Sequence, residues 1–141
     1  MFTTSLLRVV LDTNIVFEGL TKQSSAAGLI IELWRTNLLN ICVSDALWYE
    51  YEDVLTRHLS TQRWYRIQPV LNALILQAEF TTIYYTWRPS SPDPGDEHVI
   101  DCAMNANAIL VTANLRDFRE AQQSLGVRVI HPTALVGLLT D

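Results

Sequence analysis

Five carboxylates stand near points where apolar runs give way to polar sequence. Asp12 closes VVLD after the apolar run 6–11, and Asp117 lies in TANLRDF, just beyond AILVT. Between them are Glu50 in SDALWYEYED and the pair Asp93 and Asp96 in DPGDEH. In an open α/β sheet, residues at the carboxyl ends of strands converge on one crevice. Carboxylates gathered there from distant parts of a chain repel one another, and a hard divalent cation removes that repulsion. The chemistry such a site suits is phosphodiester hydrolysis. That reaction needs an activated water, neutralised phosphate charge and support for the leaving oxygen, and one or two Mg²⁺ or Mn²⁺ ions supply all three.

Each acid also has a plainer explanation. Asp12 is the best direct ligand, yet an aspartate there also suits the cap of a following helix, with Thr13 and Asn14 orienting it. Glu50 falls six residues after Ser44, well inside an expected helix and among Trp48, Tyr49 and Tyr51, whereas Glu52 and Asp53 face solvent. Asp96 opens the largely apolar helix HVIDCAMNANA, for which an ordinary N-cap would suffice. Asp93 belongs to the turn before it, and Asp101 is either a supporting group or merely half-buried. In VTANLRDF, Thr112 and Asn114 are candidate supporting residues. Asp117 could equally be a helix-surface acid paired with Arg116 or Arg119. The joint pattern, rather than any one residue, points to a metal site.

The elements that must position these groups alternate between strand and helix. Strands are predicted over residues 6–11, 39–43, 81–87, 108–112 and 127–130. Helices are predicted over 26–36, capped by Ser24 or Ser25, and from the Ser44 cap to His58, with Leu47, Tyr51, Val54 and Leu55 inward. Further helices are expected over 67–79 with Pro69 in the first turn, 96–105, 115–124 ending at Gly126, and from Pro132 onward. RPSSPDPG reads as a loop. Alternation of this kind gives a parallel sheet with helices on both faces.

The chain has 141 residues, 49% of them hydrophobic, enough for one domain with a core that needs no disulfides. Its net charge of −5 argues against a basic, sequence-reading nucleic-acid binder but not against a nuclease whose positive charge arrives as metal. The cations are nine arginines and Lys22. Cys42 and Cys102 sit in apolar surroundings and read as reduced core residues. With no leader pattern and no long apolar run, the chain reads as soluble and cytoplasmic. Arg57, His58, Arg63, Trp64, Tyr65 and Arg66 make a basic, aromatic stretch suited to RNA or a partner, although an ordinary helix connection would look the same.

Taken in order, VVLDTN, the Ser44-to-Glu50 spacing, DPGDEHVIDCAMNANAILVTAN and RDF resemble a PIN domain over nearly the whole chain. The resemblance is strongest to bacterial PIN toxins of toxin–antitoxin pairs (VapC-like). It implies a single domain spanning 1–141 with a three-layer α/β/α sandwich around a mainly parallel sheet. It also implies a Mg²⁺- or Mn²⁺-dependent ribonuclease, a small antitoxin partner and a homodimer. By position, Asp12, Glu50 and Asp96 match the family's first three acids, and Thr112 matches its hydroxyl residue. The fourth acid falls on Asn114, and Asp117 is the nearest substitute. The resemblance therefore implies Asp12, Glu50, Asp96 and Asp117 as catalytic groups, with Asp12, Asp96 and Asp117 on the metal. Asn14, Ser44, Thr112 and Asn114 would support them, and Arg57, Arg63, Trp64, Arg66 and Arg116 would contact RNA or a partner.

Other enzyme classes fit less well. An aspartate-nucleophile phosphotransferase needs DxDx[TV], and Asn14 replaces the second Asp. A receiver domain needs a late lysine, but the chain's lysine is Lys22. GxxxxGK[ST] and GxGxxG are missing. The remaining alternative is a catalytically degenerate PIN module that binds RNA or protein, an alternative that Asn114 raises.

Overall fold

Short runs rich in Val, Ile and Leu make all but one of the strands, and the computed structural model, which describes residues 6–140, pairs them all in parallel. The strands are β1 (Arg8–Leu11), β2 (Asn40–Val43), β3 (Glu79–Phe80), β4 (Ile109–Val111) and β5 (Val129–Ile130), in the order β3-β2-β1-β4-β5. Val9, Val10 and Leu11 of the central strand are wholly buried, as expected of a parallel sheet covered on both faces. Register is set by Val9 against Ile41 and Ile109, and by Leu11 against Val111.

Helices α1 (Thr13–Thr21), α2 (Ala26–Arg35), α3 (Asp45–His58) and α4 (Thr61–Leu76) fill the connections from β1 through β3. Helices α5 (Glu97–Ala106) and α6 (Arg119–Leu125) serve the return path to β4 and β5, and α7 (Pro132–Thr140) follows β5. The two paths cross the sheet in opposite directions, so right-handed crossovers put their helices on opposite faces and give an α/β/α sandwich. No described helix is long and apolar enough to cross a membrane.

Local chemistry explains the boundaries. Ser25, Ser44 and Ser60 cap α2, α3 and α4, each accepting a backbone N–H three residues on. Gly126 ends α6 at φ 73°, and Pro132 starts α7.

Three segments differ from the sequence expectation. Helix α1 follows Asp12 directly, where the sequence raised a helix only as an alternative role for Asp12 and gave it no span; it forms because Ile15 and Val16 find a buried face. Helix α4 begins at Thr61 rather than residue 67, so Pro69 lies inside it instead of in its first turn. Packing of Leu71, Leu74 and Ile75 on the core, with Trp64 and Ile67 against it, outweighs the backbone hydrogen bond that Pro69 forfeits. The third strand is Glu79–Phe80, not 81–87. Beyond Phe80 the chain keeps one ladder bond, Thr81 N–H to the Val43 carbonyl at 2.9 Å, then leaves the sheet.

Candidate metal centre

The direction of the connections reverses between β1 and β4, which places a crevice at the carboxyl ends of those strands. Asp12 and Thr112 are the first residues past β1 and β4. The Asp12 N–H donates to the Val111 carbonyl at 2.9 Å, so the two strand ends finish level. The hydroxyl of buried Tyr51, on α3, donates to the Leu11 carbonyl at 2.6 Å and pins the end of β1 just before Asp12.

Asp12 takes the N-cap position of α1, but its side chain makes no capping bond. Its Oδ2 instead accepts from the Thr112 hydroxyl at 2.8 Å, and the Asn114 N–H donates to that hydroxyl oxygen at 3.0 Å. Burial pushes the Asp12 carboxyl above its ordinary range; the Thr112 bond opposes this, and the charges of Asp117 and Asp93 add to it.

Asp93, Asp96 and Asp117 form a cluster, with one ligand oxygen from each lying within 4.8 Å of the others; Asp12 lies outside that set but near enough for its charge to act on Asp96. Asp93 and Asp96 come from the loop and 3₁₀ turn (Pro94–Asp96) that open α5; Asp117 comes from the 3₁₀ turn Leu115–Phe118 after β4. Asp96 is 9% exposed and, like Asp12, forms no capping bond. Desolvation raises its carboxyl to about 7, helped by the charges of Asp12, Asp93 and Asp117 and opposed by a hydrogen bond from Ser91. Carboxylates held this close with no ion pair to any of them among the described residues, and with the carboxyls of Asp96 and neighbouring Asp12 pushed upward, form a donor set suited to a hard divalent cation. Asn114 donates from Nδ2 to Asp117 Oδ2 at 2.6 Å, which steers that carboxylate.

Other sequence-predicted residues lie elsewhere. Glu50 is half-buried on α3 and has no hydrogen bond to the cluster. Tyr49 is 71% exposed, so the aromatic context does not enclose Glu50. Ser44 caps α3 through the Leu47 N–H at 3.2 Å, and Asn14 is exposed in the first turn of α1. Arg57, at the far end of α3, pairs with Asp53 at 2.9 Å. Helix α3 starts at the carboxyl end of β2 and is about 20 Å long, so Arg57 and the first turns of α4, with Arg63, Trp64 and Arg66, lie at the end away from the carboxylates. Arg116 alone of that set stands beside the cluster, exposed and adjacent to Asp117.

The PIN domain family model matches residues 8–116 of the chain. The chain belongs to the PIN domain family. Solved structures show the same fold at low identity. VapBC from Salmonella typhimurium, solved bound to DNA, matches with a TM-score of 0.63 at 18% identity, covering 90% of this chain and 99% of that one. VapBC2 from Rickettsia felis, bound to a DNA fragment from its promoter, matches at 0.62 and 16% over 89% and 98%. VapBC-1 from nontypeable Haemophilus influenzae matches at 0.58 and 16% over 90% and 99%. Curated protein sequences give no match.

Two contributors carried no site role in the sequence: Ser91 read only as part of the RPSSPDPG loop, and Glu97 drew no reading; Asp93 was among the candidate acids but was assigned to the turn before the helix. Glu97 is the residue with a sequence signal: an acid heading an apolar helix beside Asp96, which is 6% exposed in the structure and therefore needs partners.

Proposed function

We propose that this PIN domain is a metal-dependent ribonuclease. In this reading Asp12, Asp96 and Asp117 hold Mg²⁺ or Mn²⁺, Asp93 lies beside them, and Glu50, half-buried on α3 and outside the cluster, is a further catalytic acid. The observation that carries the reading is the gathering of Asp93, Asp96 and Asp117 next to Asp12 at the crevice between β1 and β4. A bound cation would activate water, neutralise the phosphate and support the leaving oxygen. Thr112 holds the Asp12 carboxylate in one orientation, and Asn114 does the same for Asp117. Arg116, exposed and next to Asp117 in the chain, would meet a phosphate with its planar fork.

The structural relatives are VapBC complexes and FitAB, which matches at TM-score 0.59 and was solved bound to an IR36 DNA fragment. In this reading the chain is a toxin that pairs with a small antitoxin, forms a homodimer and works in the cytoplasm; likeness to the VapBC structures supports the antitoxin partner. Arg57, Arg63, Trp64 and Arg66 then form a surface for RNA or partner, separate from the carboxylates.

The test is cleavage of a mixed-sequence single-stranded RNA with Mn²⁺, with and without EDTA, by wild type and Asp12→Asn. Cutting that needs metal and disappears in the variant supports the reading. If neither protein cuts and calorimetry detects no Mn²⁺ binding, the domain is a non-catalytic binding module.

A further inference from the structure

The loop that carries Asp93 and Asp96 has little regular structure, yet it is held firmly by one face of α5. Asn105, Asp101 and Glu97 are spaced four residues apart and so share that face. Asn105 accepts the Tyr84 and Tyr85 N–H groups at 3.0 and 3.2 Å and donates to the Tyr85 carbonyl at 2.9 Å. Asp101 accepts from Arg88 at 2.8 Å. Glu97 accepts the Ser90 N–H at 2.8 Å, the Ser90 hydroxyl at 2.5 Å and the Ser91 N–H at 3.1 Å. Residues 84–91 are thus fastened along α5 in the opposite direction, and the last fastening fixes the backbone of Ser91.

From that position the Ser91 hydroxyl reaches all three clustered residues, on both segments that supply them. It lies 3.1 Å from Asp96 Oδ2 and 3.2 Å from the Asp117 carbonyl oxygen, and it accepts the Asp93 N–H at 3.2 Å. Its one proton is shared between the first two, and its oxygen serves the third. Ser91 is 9% exposed, so water does not readily replace these bonds.

We infer that Ser91, clamped by Glu97, is the positioning residue of the metal centre. One buried hydroxyl sets the spacing of Asp93, Asp96 and Asp117, so a cation meets ligands already ordered rather than having to order them itself. This inference rests on the metal reading proposed above.

Calorimetric titration of Mn²⁺ into the full chain, with thermal unfolding in EDTA alongside, tests it. Ser91→Ala is expected to weaken Mn²⁺ binding by about 10–100-fold, the usual effect of removing a group that orients a ligand. Its Tm in EDTA should stay within about 4 °C of wild type, as for the loss of one modest hydrogen bond. Ser91→Thr keeps the hydroxyl and should recover most of the affinity. A role confined to folding would lower Tm in EDTA and leave the Mn²⁺ isotherm unchanged, and that result overturns the inference. Should Ser91→Ala fail to fold, Glu97→Gln probes the same chain of contacts: weaker Mn²⁺ binding supports the inference and unchanged binding overturns it. Wild-type protein that binds no Mn²⁺ overturns the metal reading and this inference together. Wild-type binding that these variants leave untouched overturns this inference alone.

Discussion

Asp96→Asn should stabilise the metal-free protein while abolishing its response to metal. Burial, with the charges of Asp12 and Asp93, lifts the Asp96 carboxyl from 3.8 to about 7. Unscreened, that gap corresponds to about 4 kcal/mol; with water reaching the exposed Asp93 side of the cluster, we take about 1–2 kcal/mol. The sign follows from linkage. A carboxyl raised in the folded state contributes stability that is complete below about pH 4 and is lost as pH rises through about 7. Asparagine has no such titration and can still accept from Ser91 through its amide oxygen. In EDTA the variant's advantage should therefore grow between about pH 4 and 7 and then level off, reaching about 3–8 °C in Tm at pH 8. Adding Mn²⁺ at pH 8 should raise the wild-type Tm by mass action and leave the variant nearly unmoved. The assay is thermal unfolding of both proteins from pH 4 to 8.5, with EDTA or Mn²⁺. A variant less stable than wild type in EDTA at pH 8 would overturn this account, because Asp96 would then be serving the fold rather than straining it.

Three further outcomes follow from the same geometry. Mn²⁺ affinity should rise by up to about tenfold per pH unit below about 7 and flatten above it, since binding must displace the Asp96 proton; calorimetry across pH 5.5–8.5 checks this, and a flat profile contradicts it. Thr112→Val preserves shape but removes the bond to Asp12 Oδ2, so Mn²⁺ should bind about 10–100-fold more weakly, measurable by the same titration; equal affinity would mean that Asp12 needs no orientation. Tyr51→Phe leaves the buried Leu11 carbonyl without its 2.6 Å partner and should lower stability by about 1–3 kcal/mol in urea unfolding, a value near zero showing that the bond carries no net weight.

Legibility in the sequence followed the range of the interaction. Capping at Ser25 and Ser44, the stop at Gly126 and the start at Pro132 depend on a few adjacent atoms, and each stands where its residue type predicts. Strands β1 and β4 were equally readable, because burial on both faces demands an unbroken apolar run. The sequence failed where packing outvoted local preference. Pro69 suggests a helix start near residue 67, but the apolar face of α4 carries the helix back to Thr61. The β-branched stretch after Phe80 suggests a strand, but side chains of α5 hold its backbone instead.

The candidate site divides along the same line. Sequence alone determined that acids follow the first and fourth strands and open the helix between them, since strand ends and helix starts are local features. Which acids meet depends on the folded chain: Asp93 joins Asp96 and Asp117, and Glu50 lies outside that group on α3. Ser91 likewise read as one more loop serine until folding put its hydroxyl among residues as far away as Asp117. Electrostatic repulsion and hydrogen bonding act over a few ångströms, and the chain separation of these groups says nothing of that distance until the sheet has brought their segments to one edge.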